Sequence, residues 1–271
     1  MTNLAATGGV PGPGRIGRVA IGDLLKRAAA RFPDRVALTD GARGVTFTEL
    51  ERDANRFANY LVARGMQPGE KISTICNNSV EFVKALFGIH RAGLVWVPIN
   101  TMLGPADMDY ILDHAEVRFA VIDDNLHAQA DRRAALERRG IALIAVDLTG
   151  KAAAAGLDNF NDLLKGQSDV EPDIDIDDRD LAMIIYTSGT TSRPKGAMHC
   201  HLAVVMAVMS NAIEMHLGRD DGITAQWNSG NCPVMPSARP SFISIALLMT
   251  AMTTARWQCM APFGREVVPE V

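Results

Sequence analysis

The sequence predicts an α/β fold, in which a mostly parallel sheet carries helices on both faces. Two observations lead there. Short apolar runs of strand length alternate with longer stretches whose apolar residues recur at helical spacing. Glycine and proline punctuate the junctions, at Gly65, Pro68-Gly69 and Gly93. The apolar run over 181–185 has the length and composition of a buried strand, and the alternation of β and α is the pattern of a parallel sheet covered on both faces.

Taken in order, residues 24–38 read as an amphipathic helix that ends near Phe32-Pro33-Asp34, followed by a short strand. Val45-Thr46-Phe47-Thr48-Glu49-Leu50 opens the next helix, with Thr48 as N-cap and Glu51 three residues on. Leu50, Ala54, Phe57, Ala58 and Leu61 give that helix one apolar face, and Gly65 ends it. Pro68-Gly69-Glu70-Lys71 turns into a strand over residues 72–76. Asn77-Asn78-Ser79 caps a helix that runs through Phe82, Leu86 and Ile89 to Gly93. A strand over 94–99, a helix over 108–114 and a strand over 119–122 follow.

The most informative segment is Tyr186-Thr187-Ser188-Gly189-Thr190-Thr191-Ser192-Arg193-Pro194-Lys195-Gly196. It follows an apolar run over 181–185, of strand length, and precedes an apolar run over 202–213, of helix length. It therefore reads as a strand-to-helix loop. Such a loop suits phosphate: small residues let backbone N–H groups approach an anion, hydroxyls donate hydrogen bonds, and Lys195 adds positive charge. It does not match the Walker A pattern. Pro194 stands where the second glycine belongs and Gly196 where the magnesium-binding Ser or Thr belongs, which argues against a P-loop kinase or NTPase.

The order of residues resembles the phosphate-binding loop of the adenylate-forming superfamily of acyl-CoA synthetases, luciferase and peptide-synthetase adenylation domains. That loop reads Tyr or Phe, Thr-Ser-Gly, Ser or Thr, Thr-Gly, any residue, Pro-Lys-Gly. Tyr186, Thr187, Ser188, Gly189, Thr190, Thr191, Pro194, Lys195 and Gly196 match it, and Ser192 occupies a glycine position. Upstream, Pro68-Gly69-Glu70, Gly88-Ile89-His90-Arg91-Ala92-Gly93 and Pro98-Ile99-Asn100 resemble the opening of the same family. The resemblance covers about residues 20–225. It implies an incomplete N-terminal large domain of the adenylate-forming fold.

The chemistry so implied has two halves. A carboxylic acid attacks the α-phosphate of ATP, giving an acyl-adenylate and pyrophosphate; a thiol, commonly coenzyme A, then displaces AMP. Thr187, Ser188, Gly189, Thr190, Thr191 and Lys195 are the implied ATP-phosphate ligands, acting with Mg2+, and no residue of this chain is implied as a metal ligand. The family's catalytic lysine belongs to a C-terminal domain, and no pattern for it, for the Tyr-Gly-x-Thr-Glu-like motif or for the ribose-binding Asp follows Lys195. The implied function is that of an acid–CoA ligase for fatty or other apolar carboxylic acids, with this chain alone inactive. The alternative is a non-catalytic nucleotide-binding fragment or degenerate remnant of such an enzyme.

The organisation expected is a Gly/Pro-rich disordered leader over 1–18, a partial AMP-binding domain over 19–227 and an atypical tail over 228–271. From Gly222 to Gly264 there is no Asp or Glu, and the only basic residues are Arg239 and Arg256. A changed reading frame before an early stop accounts for that shift. A lineage-specific terminus that packs on the domain, with residues 242–249 as a buried helix, is the alternative.

Composition sets the remaining bounds. The chain has 271 residues, 48% of them hydrophobic, and a net charge of −4. There is no basic tract, so nucleic acid is not an indicated partner. The uncharged stretch 240–255 is shorter than the roughly 20 residues a spanning helix needs. Four widely spaced cysteines without a Cys-x-x-Cys pair fit a reduced, cytoplasmic protein. His199-Cys200-His201 reads as a loop or helix entry rather than a metal site, because residues i and i+2 do not share a helix face. The acidic run from Asp169 to Asp178 reads as a solvated linker, and residues 151–156 as a surface connection.

Overall fold

The computed structural model describes residues 18–40, 43–150, 152, 156–187 and 193–214. The expected tail lies outside them, as do residues 1–17 of the expected leader. Arg18 is packed into the fold, 2.7 Å from Asp23. The described elements are α1 (Ile21–Arg31), β1 (Val36–Asp40), β2 (Arg43–Thr46), α2 (Phe47–Ala63), β3 (Lys71–Ile75), α3 (Val80–Arg91), β4 (Val95–Pro98), α4 (Pro105–His114) and β5 (Phe119–Asp123). There follow α5 (Asp124–His127), α6 (Ala130–Arg138), β6 (Ala142–Val146), β7 (Asp158–Asn159), α7 (Phe160–Leu164), β8 (Leu181–Thr187), β9 (Lys195–Cys200) and α8 (His201–Glu214).

Seven of these strands form one sheet in the order β7-β6-β5-β3-β4-β8-β9, and β1 pairs β2 in a separate antiparallel ribbon. Every pairing in the large sheet is parallel except β8 with β9. Side chains alternate between two cores. On β5, Phe119 and Val121 join Trp96, Leu50, Phe57 and Leu86 on one face, while Ala120 and Ile122 join Ile111, Leu112 and Leu136 on the other. Helices α1, α2, α3, α7 and α8 cover the first face; α4 and α6 cover the second. All five β5 residues are buried, so its sequence shows no polar alternation.

Local chemistry sets the helix starts. Ser79 caps α3, accepting from the Phe82 N–H at 3.1 Å. The α2 cap is Thr46 rather than Thr48: its hydroxyl accepts from the Glu49 N–H, and the Glu49 carboxylate accepts from the Thr46 N–H at 2.8 Å. Thr48 instead donates to the Pro33 carbonyl. The first helix spans Ile21–Arg31 and ends at Phe32-Pro33-Asp34, as expected, where the chain turns into the short strand β1.

The acidic run leads into β8 with Asp169, Asp173, Asp175 and Asp177 exposed, as expected of a solvated linker, but its first part is also anchored to the helices. Asn59 donates to the Ser168 and Val170 carbonyls at 2.8 Å each, and Asn55 to that of Asp169, which straps this segment onto α2. Glu171 then meets Arg91 at 3.2 Å, Arg18 at 3.7 Å and Lys26. Burial works against its ionisation, but the Lys26 hydrogen bond and the surrounding cations outweigh that and hold Glu171 below the usual carboxylate range. Arg91, 2% exposed, also pairs Glu51 at 2.8 Å. The strap thereby joins α1, α2 and α3 before it delivers the chain to β8. In the expected surface connection, Ala152 is fully buried, and residues 151 and 153–155 lie outside the described set.

Candidate functional site

Parallel strands β3, β4, β5 and β8 all end at one edge of the sheet, where ligands of open α/β sheets bind. The chain leaves β8 there at Thr187 and returns as β9, antiparallel to it. The register pairs Thr187 with Lys195, Tyr186 with Gly196 and Met183 with His199. The segment read from the sequence as a strand-to-helix loop is therefore the tip of a β-hairpin. The helix, α8, begins only at His201, where the sequence reading placed a helix entry. Lys-Gly-Ala-Met-His-Cys lacks the β-branched content and alternation of a strand; pairing with β8 makes it one.

Two of the six expected phosphate ligands, Thr187 and Lys195, are described, and they lie directly opposite each other across this hairpin. Both are exposed. Lys195 has no carboxylate partner among the described residues. Ser188, Gly189, Thr190 and Thr191 lie outside the described residues. The two described flanks thus present a hydroxyl on one strand and an ammonium on the other.

Gly196 owes its identity to packing. A Cβ there would stand 2.9 Å from Ile184 Cγ2 and 3.1 Å from Tyr186 Cζ, so only glycine lets β9 lie against the Tyr186 ring. Tyr186 shares a 2.7 Å hydrogen bond between its Oη and His114 Nδ1. Burial, with Tyr110 beside it, pushes the Tyr186 phenol up to about 12, so it stays neutral at physiological pH. Tyr110 in turn lies beneath Arg193, whose guanidinium carbon is 5.2 Å from the ring centroid. The sequence reading places a helix over 108–114 but does not single out Tyr110 and His114. Their i, i+4 spacing on one helix face was the available signal.

Behind the hairpin, His201 is 1% exposed and its Nδ1 accepts from the Ile21 N–H at 3.4 Å. Its ring centroid lies 5.5 Å from that of His90, which is fully buried, with neither ring nitrogen hydrogen-bonded among the described residues. This pair fixes α8, and with it the end of β9, against α1 and α3. At the neighbouring strand ends, Arg132 donates to the Thr101 and Leu103 carbonyls at 2.6 and 2.9 Å, and Asp123 accepts from the Asn77 backbone and side chain.

Comparison with known proteins gives a consistent set of matches. A family model described as AMP-binding enzyme matches residues 25–257. A medium/long-chain-fatty-acid–CoA/3-oxocholest-4-en-26-oate–CoA ligase of Mycolicibacterium smegmatis is 31% identical over 185 residues, 67% of this chain and 33% of that protein. A 3-hydroxybenzoate–CoA ligase of Aromatoleum sp. is 33% identical over 179 residues, 66% of this chain and 34% of that protein. Among solved structures, ATP-bound MatB from Rhodopseudomonas palustris superposes with a TM-score of 0.64 at 28% identity, covering 75% of this chain and 39% of that one. The chain thus spans about a third of the length of the curated ligases it matches. Among the described residues no helix is long and apolar enough to cross a membrane.

Proposed function

The chain belongs to the AMP-binding enzyme family, and from that membership we propose that its β8–β9 hairpin binds the phosphates of ATP as part of an AMP-forming acid–CoA ligase. The observation that carries this is the Thr187–Lys195 cross-strand pair, exposed at the carboxyl edge of the sheet, with no carboxylate on Lys195 among the described residues. In this reading Ser188, Gly189, Thr190 and Thr191 supply hydroxyls and backbone N–H groups between the two flanks. Together with Lys195 they hold the β- and γ-phosphates while a carboxylate attacks the α-phosphate and pyrophosphate departs. Fixed donors lower the barrier because they need no reorganisation as charge builds on the leaving group.

These residues bind and neutralise; none of them makes or breaks a bond. In this reading magnesium arrives bound to the nucleotide and neutralises the same phosphates. Coenzyme A and an apolar carboxylic acid, fatty or aromatic, complete the proposed substrate set. Relatives that act on fatty acids and on hydroxybenzoate support that class without choosing within it.

Lys195→Ala tests the reading. Loss of one charge-assisted contact is expected to weaken ATP and pyrophosphate binding by about 1.5–3 kcal/mol, or about 10- to 150-fold. Calorimetric titration of the wild type and the variant measures it. Because Lys195 is exposed and has no carboxylate partner among the described residues, the melting temperature should not move. Equal affinities in two folded proteins would remove the assignment.

A further inference from the structure

We propose that Tyr110 and His114 are positioning residues for this hairpin: one face of α4 holds both flanks of the segment 188–192. The proposal rests on the phosphate-binding reading for its consequence, but not for its geometry. On the incoming flank, Tyr186 immediately precedes Thr187, and its Oη is 2.7 Å from His114 Nδ1, with the two rings edge to face at 5.8 Å. On the outgoing flank, Arg193 stands two residues before Lys195 and rests on Tyr110 at 5.2 Å. Tyr110 and His114 are four residues apart on α4, with ring centroids 5.4 Å apart. Gly196 closes the circuit by lying against the Tyr186 ring. Both ends of a five-residue connection are thus fixed to a single rigid element.

The helix itself is well anchored. Gly104 and Pro105 start it, Met108, Ile111 and Leu112 bury its other side, and it ends at His114. The contacts made by Tyr110 and His114 therefore add little to holding α4 in place. Their effect falls on the hairpin tip, which has no neighbouring strand beyond β9 among the described residues. A phosphate site needs its donors aimed in advance, because each donor that must be ordered on binding costs conformational entropy. Tethering both flanks reduces that cost and keeps Thr187 opposite Lys195.

The test compares Tyr110→Leu and His114→Ala with the conservative variants Tyr110→Phe and His114→Asn in the full chain. Three readouts are taken: ATP affinity, melting temperature, and amide hydrogen exchange in peptides covering 186–197. His114 is exposed and Tyr110 half-buried, so all four variants should fold. Tyr110→Leu and His114→Ala are expected to weaken ATP binding about three- to fivefold each, and to speed exchange at the hairpin by a similar factor. The melting temperature should not change. Tyr110→Phe keeps the ring face for Arg193, and His114→Asn places a polar atom near the Nδ1 position, so both should stay close to wild type. Unchanged hairpin exchange in Tyr110→Leu and His114→Ala would overturn the proposal. So would a loss of melting temperature with uniformly faster exchange, which is what a purely structural role produces. If exchange rises at the hairpin while neither these variants nor Lys195→Ala alters ATP affinity, the tether stands and the phosphate reading fails.

Discussion

Phe57→Ala is expected to lower the unfolding free energy by about 3–5 kcal/mol. Phe57 is fully buried on α2, stacked on Tyr60 and 4.8 Å from the Phe160 ring of α7. It faces Gly88 on α3, where an added Cβ would lie 2.8 Å from Phe57 Cδ1 and 2.9 Å from the Ala54 carbonyl oxygen. Gly88 is what lets α2 and α3 approach this closely, and Phe57 fills the space that approach leaves. The two helices are also held by Lys84 on Asp53 and Arg91 on Glu51, so they cannot close freely over a cavity. That favours the upper part of the range, because uncollapsed cavities cost most. Urea unfolding of the two proteins measures the difference. A loss below about 1 kcal/mol, well short of the range for buried aromatic truncations, would mean that the α2–α3 interface is not packed as described.

Acidification from pH 7.5 to 4.5 is expected to remove about 2.5 kcal/mol of stability through His201 alone. Burial lowers its pKa from 6.5 to about 4, opposed by Asp180 and Asp23 and assisted by Arg18. The Ile21 N–H also needs an unprotonated Nδ1 to donate to. Because the folded-state value lies below the unfolded one, the unfolded chain takes up the proton first. The contribution is complete above about pH 6.5 and is lost as pH falls toward 4. Burial, and then His201 itself, hold His90 well below its ordinary value, so it acts in the same direction. Glu51 and Asp123, raised by burial, oppose the trend. Unfolding free energies at the two pH values should fall less steeply in His201→Leu than in the wild type. Equal pH dependence in both would contradict the assignment.

Several elements were legible in the sequence because their signals are local. Ser79, Gly65 and Gly93 bound α2 and α3 through capping and through positive φ at both glycines, and these helices lie within a few residues of where they were expected. The α2 cap was displaced because two overlapping patterns, Thr46 with Glu49 and Thr48 with Glu51, compete on equal local terms. Tertiary contacts decide between them: Glu51 is drawn to Arg91 and Thr48 to the Pro33 carbonyl, leaving Thr46 and Glu49 to close the box. The anchoring of the acidic strap was not legible for the same kind of reason. Nothing near Glu171 in the sequence announces Arg18, Lys26 and Arg91, which come from α3 and from the chain in and before α1.

At the candidate site, the family resemblance was legible and the architecture was not. The order of residues from Tyr186 to Gly196 carries the family resemblance, whereas the return strand β9 exists only through its pairing with β8. The Tyr110–His114 face of α4 becomes meaningful once Tyr186 and Arg193 are seen against it.

The central claim is that ATP is held by its phosphates at the tip of the β8–β9 hairpin. Amide hydrogen exchange of the full chain, with and without magnesium-ATP, tests it most directly. The account predicts slowed exchange in peptides covering 186–196, and loss of that protection in Lys195→Ala at the same ATP concentration. Saturable ATP binding that protects other peptides and leaves 186–196 unchanged would contradict it.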